Sequence, residues 1–472
     1  MDLRRRVIRI TAITAAAVLV VSACSSGNGS GQSPSSVAAS ASAASASSAA
    51  SASSAASASP SSAVGVIDKH LAGTTLKFLM PPWGDMGAEE FAKFTDRTGI
   101  TVQLETLPFD QVHDKAVAAM AAGTPPADVM EIDSLWVGQF AAAGWLTPIA
   151  PYIAPATLST VAAKDVFSVK GQLLAMPWVV DFRWTVVNMT LLAKAGITTQ
   201  PQSWADVKAD AEAIKAKGIL KYPISLPMNI SAEATEPWLT LMVAGGGTVL
   251  DSAGKPTFAD PNSTGYQGAA YLRSLYAAGL IDPASVNLAG QAALDEFAGG
   301  QSAFGLRDGP GLIAYETNPA TSKVAKDNIV GFLSGPNGAS SVGSGVFGLP
   351  EGLGIPANST NKDAAAMFIA WWNETPQEVF RYTQPAGSSF PAQGPAIDQV
   401  LATLASQGIG YGPQIKAVLP NIHPLFANGA PTWYPQFVND AATTLQSVIL
   451  GDTPVDTGMK TLADEVTALA NK

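Results

Sequence analysis

The stretch Gly171 to Trp204, GQLLAMPWVVDFRWTVVNMTLLAKAGITTQPQSW, constrains this chain more than any other. A Gly turn opens it, and a short apolar run leads to Met176-Pro177-Trp178. A second apolar run, Val179 to Val187, is interrupted by Asp181 and Arg183. Asn188 ends that run, a helix-like MTLLAKAG segment closes on Gly196, and Ser203 is placed to cap a helix from Trp204. Two strand-like pieces thus flank a charged, aromatic kink. Ionisable groups inside a single apolar core are costly unless paired. They fit a point where the chain leaves one core and enters another, so two lobes are expected, with this crossing at the mouth of a cleft.

The N-terminus has the form of an export signal. Arg4, Arg5, Arg6 and Arg9 precede the apolar run Ile10 to Val21, which is too short to span a membrane comfortably. Residues 1–23 are expected to be removed at Val21-Ser22-Ala23-Cys24, which resembles the bacterial lipobox. Cys24 would then carry the lipid. It is the chain's single cysteine, which excludes disulfide stapling and thiolate metal clusters. Residues 24–65 are almost wholly Ser, Ala and Gly, a composition that buries too little apolar surface to fold, so they are expected to be a disordered tether. No later apolar run approaches 20 residues, and the body is expected to be soluble. Without the signal, 23 basic and 36 acidic residues remain, a net charge of −13. That balance argues against nucleic acid and anionic surfaces.

About 400 residues remain, a length suited to two lobes. Strand-like Thr75–Met80, Ile100–Glu105 and Asp128–Ile132 alternate with helix-like Ala88–Thr98 and Asp110–Ala122. Such alternation indicates βαβ units and a parallel sheet, whose ligands bind beyond the carboxyl ends of the strands. Trp83 and Asp85 follow the first strand, and Asp133 and Trp136 follow the third. Two strand ends therefore offer the same chemistry, a carboxylate plus an indole. From Asn361 onward the pattern is mostly helical.

Six blocks, in order, resemble the extracellular solute-binding lipoproteins of bacterial ABC importers, in the sugar-binding branch that includes maltose-binding protein. They are the segment from Ala121 through Gly144-Trp-Leu-Thr-Pro148, the opening Gly171–Trp204 stretch, and Glu236-Pro237-Trp238 followed by Gly245-Gly246-Gly247. The others are Phe297-Ala-Gly-Gly-Gln-Ser-Ala-Phe304, Gly354-Ile355-Pro356 through Trp372, and Pro431-Thr-Trp433-Tyr434. The resemblance spans about residues 74–470. It implies an α/β, two-lobed periplasmic-binding-protein-like fold, with two discontinuous lobes joined by hinge crossings. The expected division is 66–181 with 302–350 for the N-lobe and 182–301 with 351–472 for the C-lobe. It also implies a carbohydrate ligand, permease subunits and an ATPase as partners, a place on the outer face of the cytoplasmic membrane, a monomer, and no cofactor.

A sugar presents hydroxyls at its edges and C–H patches on its faces, so carboxylates and aromatic planes are its natural partners. The aromatic candidates are Trp83, Trp136, Trp178, Trp184, Trp238, Trp433 and Tyr434, against a core reading for each tryptophan. Trp145, Trp204, Trp371 and Trp372 sit in helix or packing patterns and read as core. Asp85, Asp133, Asp181 and Glu236 are the carboxylate candidates, although Asp133 could be a helix cap and Asp181 could simply pair with Arg183. Arg183 and Arg307 could hold a hydroxyl pair or an acidic sugar. After Arg307-Asp308, Gly311 stands where the family often has Trp, which removes one stacking plane. His70, His113 and His423 are isolated, with no metal-ligand spacing. An exported glycosidase using paired carboxylates is one alternative. A binding protein for a quaternary amine or polyamine, caged by Trp and carboxylates, is another.

Overall fold

The computed structural model describes residues 69–338, 345–384, 389–409, 412–423, 425–426 and 430–471. The signal, Cys24 and the Ser/Ala tether lie outside them. Nine strands build the two main sheets. In chain order they are β1 (Thr75–Met80), β2 (Thr101–Thr106), β3 (Val129–Asp133), β4 (Ala175–Val179), β5 (Trp184–Asn188), β6 (Ile224–Ser225), β7 (Phe304–Asp308), β8 (Ile329–Phe332) and β9 (Glu351–Gly354). The first sheet has the order β2-β1-β3-β9-β4 and the second the order β8-β5-β7-β6. β1 runs parallel to β2 and β3, as the βαβ pattern predicts, whereas β9 is antiparallel to both β3 and β4.

Each sheet has its own core. Phe78, Phe94, Ile132, Trp178, Leu353, Phe368 and Trp372 belong to the first. Val187, Trp204, Trp238, Phe258, Phe304, Phe437 and Leu445 belong to the second. The chain passes from β4 in the first sheet to β5 in the second between Val179 and Trp184. The stretch ends cleanly because its polar residues are caps. Asn188 accepts a hydrogen bond from the Leu191 amide at 3.0 Å, and Ser203 and Asp206 form a reciprocal capping box.

The return crossing lies later than the sequence suggests. Residues 302–350 are expected in the first lobe, yet β7 and β8 both pair with β5 in the second sheet. Residues 351–472 are expected in the second, yet β9 joins the first sheet, and helices Lys362–Trp372 and Gly394–Ser406 contribute Phe368, Trp372, Ile397 and Val400 to its core. Phe426, Ala430 and helices Tyr434–Leu450 and Val455–Ala470 return to the second core. Strands of four or five residues carry no mark of which sheet they enter. The actual return is made by residues 347–350, which run antiparallel to 181–183. Arg183 donates its amide to the Phe347 carbonyl at 2.9 Å, and Leu349 donates to the Asp181 carbonyl at 2.9 Å.

Candidate functional site

β7 and β8 are packed too closely against the first crossing for side chains at every position. A Cβ on Gly309, after β7, would lie 2.5 Å from both Asp181 Oδ1 and the Phe182 carbonyl. One on Gly331 in β8 would lie 2.4 Å from the Trp184 ring. Glycine at these places lets β7 and β8 close against the crossing and holds its charged side chains in place.

Those side chains form a network. Arg183 pairs with Asp181, two residues before it, and its Nε donates to Glu236 Oε2 at 2.5 Å. Arg307, at the end of β7, places its Nε 2.8 Å from the same Glu236 oxygen and its Nη2 3.4 Å from Glu233. Burial alone would push the Glu236 carboxyl up, but the two guanidiniums outweigh it and hold it below the usual range. Burial likewise opposes the charge on Arg183, and Asp181 and Glu236 overcome it and push its pKa up. Asp181, Arg183, Glu236 and Arg307 are thus in mutual contact, and the Asp181–Arg183 pair extends into Glu236. Glu233, absent from the expected set, completes the network from one turn earlier on helix Ala232–Ala244.

The facing rim of the first sheet has the opposite character. Asp133 ends β3 and is the direct cross-strand partner of Glu351, the first residue of β9. Glu131 lies two residues before Asp133, on the same face of the strand. No cation pairs with these three among the described residues. Asp133 Oδ1 accepts from the Leu135 amide at 2.7 Å, so it also caps the turn after the strand. Glu351 accepts from Trp83 Nε1 at 2.8 Å and Glu131 from Trp178 Nε1 at 2.9 Å. Burial pushes Asp133 up to about 7 and Glu351 up to about 8, and raises Glu131 well above its usual range. Asp133 and Asp181 push the Glu351 carboxyl up further, and Glu236 does the same to Asp133.

An aromatic wall adjoins this rim. The rings of Trp83 and Phe109 are 5.7 Å apart, and those of Phe109 and Trp136 are 4.6 Å apart. Each follows a different strand of the parallel part of the sheet. On the other lobe Tyr434 opens helix Tyr434–Leu450, and burial, Asp133 and Glu236 all push its hydroxyl pKa up, which puts it beside both rims. Trp433 is half-buried against Phe426 and Phe437.

Trp136, 8% exposed, is shared between this wall and the first core, and three further tryptophans expected at the cleft are placed in the cores outright. Trp178 is fully buried, edge-on to Trp372. Trp184 is 2% exposed and packs edge-on to Phe182. Trp238 is fully buried, edge-on to Phe258, and donates to the Gly265 carbonyl at 2.7 Å. The last has a simple cause. Residues two apart on a helix point about 200° apart, so with Glu236 toward the crossing, Trp238 must face the core. Asp85 is exposed and accepts from the Gly87 amide at 2.8 Å within its own turn, away from the network. Glu351, Glu131 and Phe109 were missed. Glu351 sits in a Gly-rich segment with little strand signal, although a lone carboxylate before Gly-Leu-Gly-Ile-Pro was a usable hint.

This arrangement of two sheets, crossings between them and a polar rim on each side can be set against known proteins. The model of the bacterial extracellular solute-binding protein family matches residues 83–378, more than half of the chain. The chain belongs to that family. It is therefore a binding protein and not an enzyme. A Brucella abortus protein, named only as a binding protein, is 24% identical over 384 residues, 80% of this chain and 87% of that one. Among solved structures, maltose-bound MalE3 of T. maritima superposes with a TM-score of 0.70 at 20% identity, covering 84% of this chain and all of that one. An ABC transporter solute-binding protein of Agrobacterium radiobacter K84, in complex with ribitol, gives 0.71 at 18% identity over 84% and 99%. At such identities these two show the fold, a two-lobed solute-binding architecture.

Proposed function

We propose that the protein is the extracytoplasmic, lipid-anchored substrate-capturing component of an ABC importer, and that it takes a carbohydrate between its lobes. The observation that carries this reading is the meeting of two complementary rims at the crossing. One offers the Trp83–Phe109–Trp136 wall with Asp133 and Glu351. The other offers Arg183, Glu236 and Arg307 with Tyr434. Aromatic planes cover the C–H faces of a sugar, and charged acceptors and donors satisfy its hydroxyls. That the two structural relatives hold maltose and ribitol supports a polyhydroxylated ligand. The lobes would hinge at residues 180–183 and 347–350, so that ligand contact and closure are coupled. Cys24, ahead of the tether, would carry the anchor, and permease subunits in the membrane would receive the ligand. Among the described residues no helix is long and apolar enough to cross a membrane.

Calorimetry with a panel of neutral sugars, polyols, sugar acids and polyamines tests the ligand class. Saccharide or polyol binding accompanied by compaction in small-angle scattering is the expected result. Binding of a non-sugar alone would defeat the carbohydrate reading. Metabolic labelling with a fatty acid, lost in Cys24→Ala, tests the anchor.

A further inference from the structure

The first-sheet rim has more negative groups than a neutral sugar needs. Asp133 and Glu351 are direct cross-strand partners, so their side chains leave the same face of the sheet, with Glu131 beside them. Like charges directly opposite on a sheet destabilise it. All the same, no lysine or arginine is paired with any of the three among the described residues. Arg183 acts to lower the Glu351 carboxyl, but it is committed to Asp181 and Glu236. Among the described residues their partners are neutral donors, the Trp83 and Trp178 indoles, the amide and hydroxyl of the turn after β3 and the Gly352 backbone, and Glu131 Oε1 has no hydrogen-bond partner. Burial and mutual repulsion raise their pKa values, as an uncompensated cluster requires.

Something that binds here with a positive charge would relieve the cluster. A metal ion is a poor fit, because no three such groups are arranged to hold one among the described residues. An ammonium is a better match: it donates up to three hydrogen bonds, and its charge would draw Asp133 and Glu351 into the ionised, acceptor-only form. Glu351 and Trp83 are each half-buried, hence within reach of a ligand, and the aromatic wall begins at Trp83. We propose that the ligand is a saccharide carrying a protonated amine, its ammonium held between Asp133 and Glu351 and its ring laid on the Trp83–Phe109–Trp136 wall. This rests on the carbohydrate reading above and narrows it to amino sugars.

The test compares ligands that differ only in the amine. β-1,4-linked glucosamine mono-, di- and trisaccharides and the same compounds fully N-acetylated are titrated calorimetrically near pH 6.5, with spermidine alongside. The free-amine series is expected to bind about tenfold or more tightly than the acetylated one, the scale of a charge-assisted hydrogen bond. Glu351→Gln should erase most of that preference. Asp133→Asn is the second variant, with folding checked by circular dichroism. Equal or tighter binding of the acetylated series, or no gain from the amine at any length, overturns the amine inference and leaves a neutral carbohydrate reading standing. Spermidine binding without any saccharide response overturns both.

Discussion

Asp133 and Glu236 are buried to the same degree, 5% and 7% exposed, and face each other across the crossing, yet they are held in opposite states. Burial pushes Asp133 up to about 7. It acts on Glu236 in the same direction, but Arg183 and Arg307 reverse it. Burial therefore does not decide the charge of a carboxyl here; the guanidinium does. The second-lobe rim is a neutralised network that holds its own shape. The first-lobe rim is an unneutralised one, and its energy is lowered only by protonation or by a ligand.

The strongest way to break this contrast is to take the guanidinium away. Arg183→Met should cost about 3–5 kcal/mol, because it leaves Asp181 buried without its counter-ion and Glu236 with Arg307 alone. Denaturant unfolding reads the loss. The contrast also predicts that Glu236 would then move up toward the behaviour of Asp133, so the variant should recover part of its stability at low pH. An Arg183→Met protein as stable as the parent at pH 7 would mean that the network is not what holds the crossing.

The pH dependence comes next in size. Asp133 keeps its proton in the folded protein until about pH 7, while an unfolded Asp has lost it above about pH 4. Between those values the folded state binds more protons, so its stability falls as pH rises, by at most about 1.4 kcal/mol per unit and about 4 kcal/mol across the window. Glu236 works the other way. Its lowered pKa contributes stability above the ordinary Glu range, and that is lost as pH falls through the folded value. Urea titrations from pH 4 to 8 should show a flatter decline in Asp133→Asn than in the parent. Identical slopes would show that Asp133 ionises normally.

A third test sets the aromatic groups of the two lobes against each other. Trp433→Ala should weaken ligand binding by about 1–3 kcal/mol, within the range for a truncated aromatic contact, and leave the fold standing since the ring is only half-buried. Trp83→Ala should weaken binding similarly and also free Glu351 of its indole donor. If Trp433→Ala binds as the parent does, the second lobe contributes polar groups alone.

The crossing at Gly171–Trp204 was legible because Asp181 and Arg183 interrupt an apolar run, a pattern that a single core rarely tolerates. The alternation of strands and helices through residue 142 was legible for the same kind of reason, a period that changes between elements. The sheet membership of β7, β8 and β9 was not, since pairing is a long-range choice made after short strands form. Nor were the tryptophans, because an indole near a turn looks alike in core and cleft. Only for Trp238 did the sequence hold the answer, in its two-residue offset from Glu236. The acidic rim was half visible. Asp133 stood out at the end of a clear strand, while Glu351 reaches it through a pairing 218 residues distant in number, as the register of β3 and β9 shows.

The smallest expected effect belongs to Asp85, and it separates position from participation. By sequence Asp85 and Asp133 are alike, each an acid just beyond or at the end of a parallel strand near a tryptophan. In the fold one is buried opposite Glu351 and the other is exposed, with its oxygen on the Gly87 amide. A surface turn of this kind contributes little, so Asp85→Asn, which keeps the acceptor, should change stability by less than about 0.5 kcal/mol. Ligand affinity should also stay within error, whereas Asp133→Asn should alter it. A loss of binding in Asp85→Asn comparable to that in Asp133→Asn would put the first turn back in the site and extend the acidic rim along the whole edge of the sheet.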